Sequence, residues 1–110
     1  MHTILSAEEL LAGTDISFEV AIPHNLLFHQ EKADQQEPAV KIKPLSLGTF
    51  QLIMKGARED PELIPILMIK EGLVEPKLAL SQIKGLPVGL VGFLVEEIRA
   101  VSGLSEKKKG

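Results

Sequence analysis

Apolar and polar positions follow two different periods along this chain, and the change from one to the other falls near Pro44. Ile16, Phe18, Val20 and Ile22 alternate with Ser17, Glu19 and Ala21, the period-two pattern of a half-buried strand. Val40, Lys41, Ile42 and Lys43 repeat it, and Leu45 resumes the apolar set after Pro44. If the two segments pair antiparallel with Val40 and Ile42 inward, Lys41 and Lys43 share the outer face with Glu19, a favourable cross-strand arrangement. A two-stranded ribbon is marginal alone, so its apolar face has to be covered by the helices that follow.

Upstream, Ser6 and Glu9 stand at capping-box spacing, and Leu10 and Leu11 lead to Gly13, which predicts a short opening helix stopped by a glycine. Between the two strands lies a polar connection bounded by prolines, residues 23–38. It exceeds the usual hairpin loop and is expected to be a mobile or functional excursion. Leu26, Leu27 and Phe28 inside it extend the first strand, plug the core edge, or form an exposed anchor for a partner.

After Pro44 the spacing becomes three and four. Ser46 is the expected N-cap of a helix carrying Leu47, Phe50, Ile53, Met54 and Ala57. Asp60, Pro61 and Glu62 place a cap, a first-turn proline and an acid at a second helix start, although Pro65 pushes the true start later. That apolar run ends at Gly72. A connection over Leu73 to Lys77 then leads to one or two turns closed by Gly85. Pro87 opens a last helix that runs to about Ser102, with Gly103 as its stop.

The stretch from Leu63 to Leu104 is unusually apolar. Leu63, Ile64, Ile66, Leu67, Met68 and Ile69 crowd one segment, and LPVGLVGFLV (Leu86 to Val95) forms another. Val88, Val91, Val95, Ile98 and Ser102 follow one helical stripe, of which Val88, Val91 and Val95, together with Met68, are expected to cover the ribbon and one another. Leu90, Phe93 and Leu94 then exceed what a small core absorbs and become candidates for a partner-binding surface. Gly89 and Gly92 are expected to let another helix approach the last one closely.

Composition narrows the function. A chain of 110 residues is one domain. At this size folding removes roughly 65% of the unfolded surface from water, enough for a modest core. The domain divides into a short helix and ribbon over residues 1–45, a helical part over residues 46–104 and a solvated tail over residues 105–110. A net charge of -3 makes nucleic acid an unlikely default partner despite the basic Lys107 to Lys109. The absence of cysteine excludes disulfides, thiolate catalysis and zinc-thiolate sites. The opening residues have no secretory signal pattern, and the LPVGLVGFLV run is about half the length of a membrane-spanning helix, so a soluble, non-exported protein without membrane contact is expected.

Chemistry is sparse. His24 and His29, with Glu31 and Asp34, allow a metal site to be drawn, but no helical pair fixes ligand geometry, and no metal is expected. The acid pairs Glu8/Glu9, Glu59/Asp60 and Glu96/Glu97 are adjacent residues, which point apart on a helix rather than converging on a substrate. Gly85, Gly89 and Gly92 are followed by no lysine at phosphate-loop spacing. No enzyme activity and no cofactor are expected. A helix-turn-helix transcriptional regulator would need base-reading side chains, for which only Arg99, Gln82 and Lys84 are offered.

The stretch VKIKPLSLGTFQLIMKGARED, the following EGLVEPKLALSQIKGLP and the terminal VEEIRAVSGL resemble the small tail assembly chaperones of long-tailed bacteriophages and prophages. The features in common are a strand ending in a K-P-L-S turn, an E-P-x-L turn, a short helix ending in G-L-P and a last helix closing in I-x-x-V-S-G, over Val40 to Leu104. The resemblance implies a non-enzymatic protein without cofactor that binds a helical tape-measure or tail-tube protein in the bacterial host cytoplasm. The apolar stripes, not the family, nominate Ile66, Ile69, Leu90, Phe93, Leu94 and Ile98 as partner-binding residues, in a helix-in-groove mode. The alternative is a self-assembling structural phage protein using the same surface for homo-oligomerisation. The expected fold is α+β: a small N-terminal two-stranded antiparallel ribbon followed by about four C-terminal helices.

Overall fold

A computed structural model of the chain describes residues 1–27 and 37–104. Phe28, His29, Glu31, Asp34 and the SEKKKG tail lie outside the described residues. In chain order the elements are α1 (Ala7–Leu11), a 3-10 turn (Ala12–Asp15), β1 (Phe18–Ala21), a second 3-10 turn (His24–Leu26), β2 (Ala39–Ile42), α2 (Leu47–Gly56), α3 (Leu63–Gly72), β3 (Leu73–Glu75), α4 (Leu80–Lys84) and α5 (Val88–Val101). The fold is mixed helix and antiparallel sheet.

β1 and β2 pair in the expected sense, Val20 opposite Val40 and Glu19 opposite Lys41. The sheet, however, has three strands in the order β1-β2-β3 rather than two. The third is Leu73–Glu75, expected only as a connection; three residues cannot display a period, and their pairing with β2 is tertiary. β3 also changes the electrostatics of the outer face. Lys41 makes its ion pair with Glu75, at 3.8 Å, and not with Glu19. Both partners are exposed, so the pair contributes little.

The helices begin and end where the local chemistry directs. Ser6 and Glu9 form a complete capping box, Ser6 N–H donating to Glu9 Oε1 at 2.8 Å and Glu9 N–H to Ser6 Oγ at 3.2 Å. Ser46 Oγ accepts from Thr49 N–H at 3.2 Å and caps α2. α3 starts at Leu63, which leaves Pro65 in the first turn, where its missing N–H costs no intrahelical bond. α5 follows Pro87 and ends in a Schellman motif: Leu104 N–H reaches Arg99 O at 2.8 Å, Gly103 N–H reaches Ala100 O, and Gly103 has φ +75°.

α3 is the centre of the molecule. Its Met68 and Ile69, with Ile42 of β2, Ile83 of α4 and Ile98 of α5, are the most deeply buried large side chains. Gly72 at its C-terminal end is the close-approach glycine. A Cβ there would lie 2.9 Å from both Cδ1 and Cγ2 of Ile98. The expectation that Gly89 and Gly92 play this part is corrected: Gly92 faces open space, and Gly89 meets only the Leu26 side chain.

The orientation of α5 also differs from expectation. Leu90, Leu94 and Ile98, four residues apart, face the core, whereas Val88 is 88% exposed and Val91 and Val95 are half-buried. Both stripes are apolar, so periodicity does not choose between them. The choice is made by packing of α5 across α3 at Gly72. A tertiary hydrogen bond fixes the far end of α5, with Leu45 N–H donating to Ser102 Oγ at 2.8 Å across 57 positions of sequence.

Candidate functional site

The six residues nominated as a partner face lie in or against the core. Ile69, Leu90, Leu94 and Ile98 are core residues, and Ile66 and Phe93 are half-buried and packed against that core. The interior absorbs the surplus apolar side chains because it is shared by a sheet of three strands and by four helices, not by a ribbon and one covering stripe. Leu26 and Leu27 join the same packing from the connection after β1, the core-plug alternative for these two residues.

Uncovered apolar surface lies elsewhere. One part is α2, a helix with a single buried residue, Ile53, followed by buried Ala57 at its C-cap. Phe50 is half-buried, but Leu47 and Leu52 are 72% and 70% exposed, and Met54 is also exposed. Leu47 and Met54 are two turns apart on one flank; Leu52 lies on the opposite flank. Beside Leu52 a cleft of about 140 Å³ opens between α2 and α3, lined by Thr49, Leu52, Ile53, Leu67 and Glu71. Single exposed apolar residues are ordinary on a protein surface; three on one ten-residue helix beside a cleft are a candidate docking surface.

The other part is the N-terminal arm. All of residues 1–17 are exposed, and α1 buries none of its five residues. Ile4, Leu5, Leu10, Leu11 and Ile16 project from it without cover, and exposed Phe18 continues the series into β1. The root of the arm, Thr14 and Asp15, lines a pocket with Lys43, Ser46, Thr49 and Glu71. Thr49 and Glu71 belong to the α2/α3 cleft as well, so the arm joins the body where that cleft begins.

The sequence signal for this second surface was present. Leu10, Leu11, Leu47 and Met54 stand in the predicted helices, but their spacing does not mark them as uncovered. Polar chemistry adds little to either region. Among the described residues no charged or polar side chain is buried, and no group of three His, Asp or Glu residues could hold a metal ion. Glu9 is engaged in the capping box, and Glu96 lies 3.9 Å from Arg99. Arg99 also donates to Leu104 O at 3.0 Å, which ties it to the end of its own helix rather than presenting it with Gln82 and Lys84. Among the described residues no helix is long and apolar enough to cross a membrane. Comparison of the chain with protein families, with curated proteins and with solved structures returns no match.

Proposed function

We propose that this protein is a non-enzymatic assembly chaperone of the phage-tail type, acting in the bacterial host cytoplasm and holding a helical tape-measure or tail protein through an apolar surface. The motif series over Val40 to Leu104 suggests the class. The observation that carries the binding is the bare α2 surface, where Leu52 stands exposed beside the α2/α3 cleft and Leu47 and Met54 extend the apolar area along the other flank. An amphipathic client helix laid against α2 would place its own apolar stripe over Leu52 and into the cleft, the helix-in-groove mode. Ile66 and Phe93, half-buried, are core-supporting residues in this scheme, and Ile69, Leu90, Leu94 and Ile98 hold the scaffold.

The experiment is to look for a long coiled-coil protein encoded downstream of this chain's gene and to co-express the two. A soluble complex is expected, and Leu52→Asp should abolish it without changing the melting curve of the chaperone alone, since the residue is exposed. A gene neighbourhood without such a protein, or a complex indifferent to Leu52→Asp, would sink the proposal.

A second reading, self-assembly, is favoured by the uncovered arm.

A further inference from the structure

We propose that residues 1–17 are a self-association arm, and that their occupant is α2 of a second copy of this chain. The inference uses the same α2 face as the chaperone proposal, but it is read on the purified chain without any client, so the two fail separately.

Three observations point to a second copy. First, α1 is a formed and capped helix of five residues that buries none of them. So short a helix is marginal in water on its own, and cover from another surface would hold it. Secondly, uncovered apolar surface exists on the same molecule: Leu10 and Leu11 on the arm and Leu52 on α2 are all about 70% exposed. Each lacks what the other offers. Thirdly, the two are complementary in charge. The arm carries Glu8 and Glu9, and no lysine or arginine precedes Lys32. α2 carries Lys55 and no acid, and Arg58 follows it; Glu71 lines the cleft beside Leu52 and Glu59 and Asp60 follow Arg58, so the complementarity is local to Lys55. Among the described residues neither Glu8 nor Lys55 has an ion-pair partner. The acidic arm also argues against an anionic membrane surface as occupant, since like charges repel.

Geometry favours exchange between copies. The arm leaves the body through the 3-10 turn Ala12–Asp15, rooted beside Ser46 and Thr49 at the N-terminal end of α2. α1 buries none of its residues on its own body, and Lys55 lies in the last turn of α2. Two copies related by a two-fold axis would each lay an arm along the other's α2, apolar residues over Leu52 and Glu8 toward Lys55. The contact is then made twice and the assembly closes as a dimer.

The test is light scattering and sedimentation equilibrium on the full chain across micromolar to submillimolar concentration. The wild type is expected to dimerise. Leu10→Ser/Leu11→Ser in the arm, or Leu52→Ser in α2, should each weaken the dimer at least tenfold while leaving the dilute melting curve unchanged. Mixing those two variants should restore part of the association, because one intact arm meets one intact α2. Glu8→Lys and Lys55→Glu should each weaken it, and the double charge swap should recover most of the loss. A wild type monomeric throughout the range overturns the proposal, as does a dimer insensitive to both the arm and α2 variants. A dimer that responds to the arm but not to Leu52 or Lys55 also overturns it, since the arm would then dock elsewhere.

Discussion

The two ends of this chain treat similar side chains in opposite ways. In α5, Leu90 and Leu94 are buried against α3; in α1, Leu10 and Leu11 stand in water. Both helices begin with a clear local signal, Pro87 for one and the Ser6–Glu9 box for the other. What separates them is company. α5 crosses a central helix that offers Gly72 as a recess for Ile98, whereas α1 meets no comparable element. A leucine contributes roughly 1.5–3 kcal/mol only when its surface is actually removed from water. Apolarity in a sequence is therefore a demand for cover, and the structure shows which demands are met within one copy.

The contrast is broken most severely by placing a charge on the buried side. Leu94→Asp should cost more than about 4 kcal/mol, because an unpaired carboxylate would be held in a cluster with no buried polar partner. That is of the order of the whole stability of a small domain. Circular dichroism on heating is expected to show no cooperative transition, and a normal melt would mean that Leu94 is not the core residue its burial indicates.

Gly72→Ala is the next largest. The new methyl would stand 2.9 Å from two carbons of the fully buried Ile98 side chain, which cannot swing away, so a loss of about 1–3 kcal/mol is expected. Combining it with Ile98→Ala tests the cause. The double variant should be more stable than the sum of the two losses predicts, by chemical denaturation; strict additivity would show that the two positions are not coupled.

Gly72 also marks where the sequence stops being informative. Its place at the end of an apolar run identifies a helix stop, and α3 does end there. Nothing in the residue type says that a side chain from 26 positions away will press on it. Local signals were readable in the same way elsewhere: the Ser6 and Ser46 caps, the alternation that pairs Val20 with Val40, and the Pro87 and Gly103 limits of α5. The failures are tertiary. Leu73–Glu75 is too short to show a strand period, and the two apolar stripes of α5 cannot be ranked without α3. The candidate surface was misplaced for that reason. The density of apolar residues is highest in α3 and α5, where it is satisfied largely by mutual burial; most of the exposed large apolar residues belong to the N-terminal arm and α2.

Polar anchors that hold the covered region in place give intermediate effects. Ser102→Ala leaves the part-buried Leu45 N–H without its 2.8 Å acceptor and should cost about 1–2 kcal/mol in urea unfolding. Because this bond ties the end of α5 to the turn before α2, amide exchange should quicken at Leu45 and not in α1. Ser46→Ala removes the acceptor for Thr49 N–H and should cost about 1 kcal/mol, with its effect confined to the start of α2. Equal exchange changes throughout the chain would contradict both assignments.

The smallest effect sharpens the comparison most. Leu10→Ser removes an isobutyl group that already lies in water, so in dilute solution it should move the unfolding free energy by no more than about 0.5 kcal/mol. The same substitution at Leu90 should cost several times as much, since that side chain is buried. Concentration then separates the two positions further. If the arm is covered by another copy, the melting temperature of the wild type rises with protein concentration through mass action, and Leu10→Ser flattens that dependence. Leu90→Ser instead lowers the melting temperature by a similar amount at every concentration. The slope against concentration thus distinguishes an apolar residue whose cover is supplied within the chain from one whose cover must come from outside it. A Leu10→Ser variant that is strongly destabilised in dilute solution would place the arm on its own body and remove the contrast between the two ends.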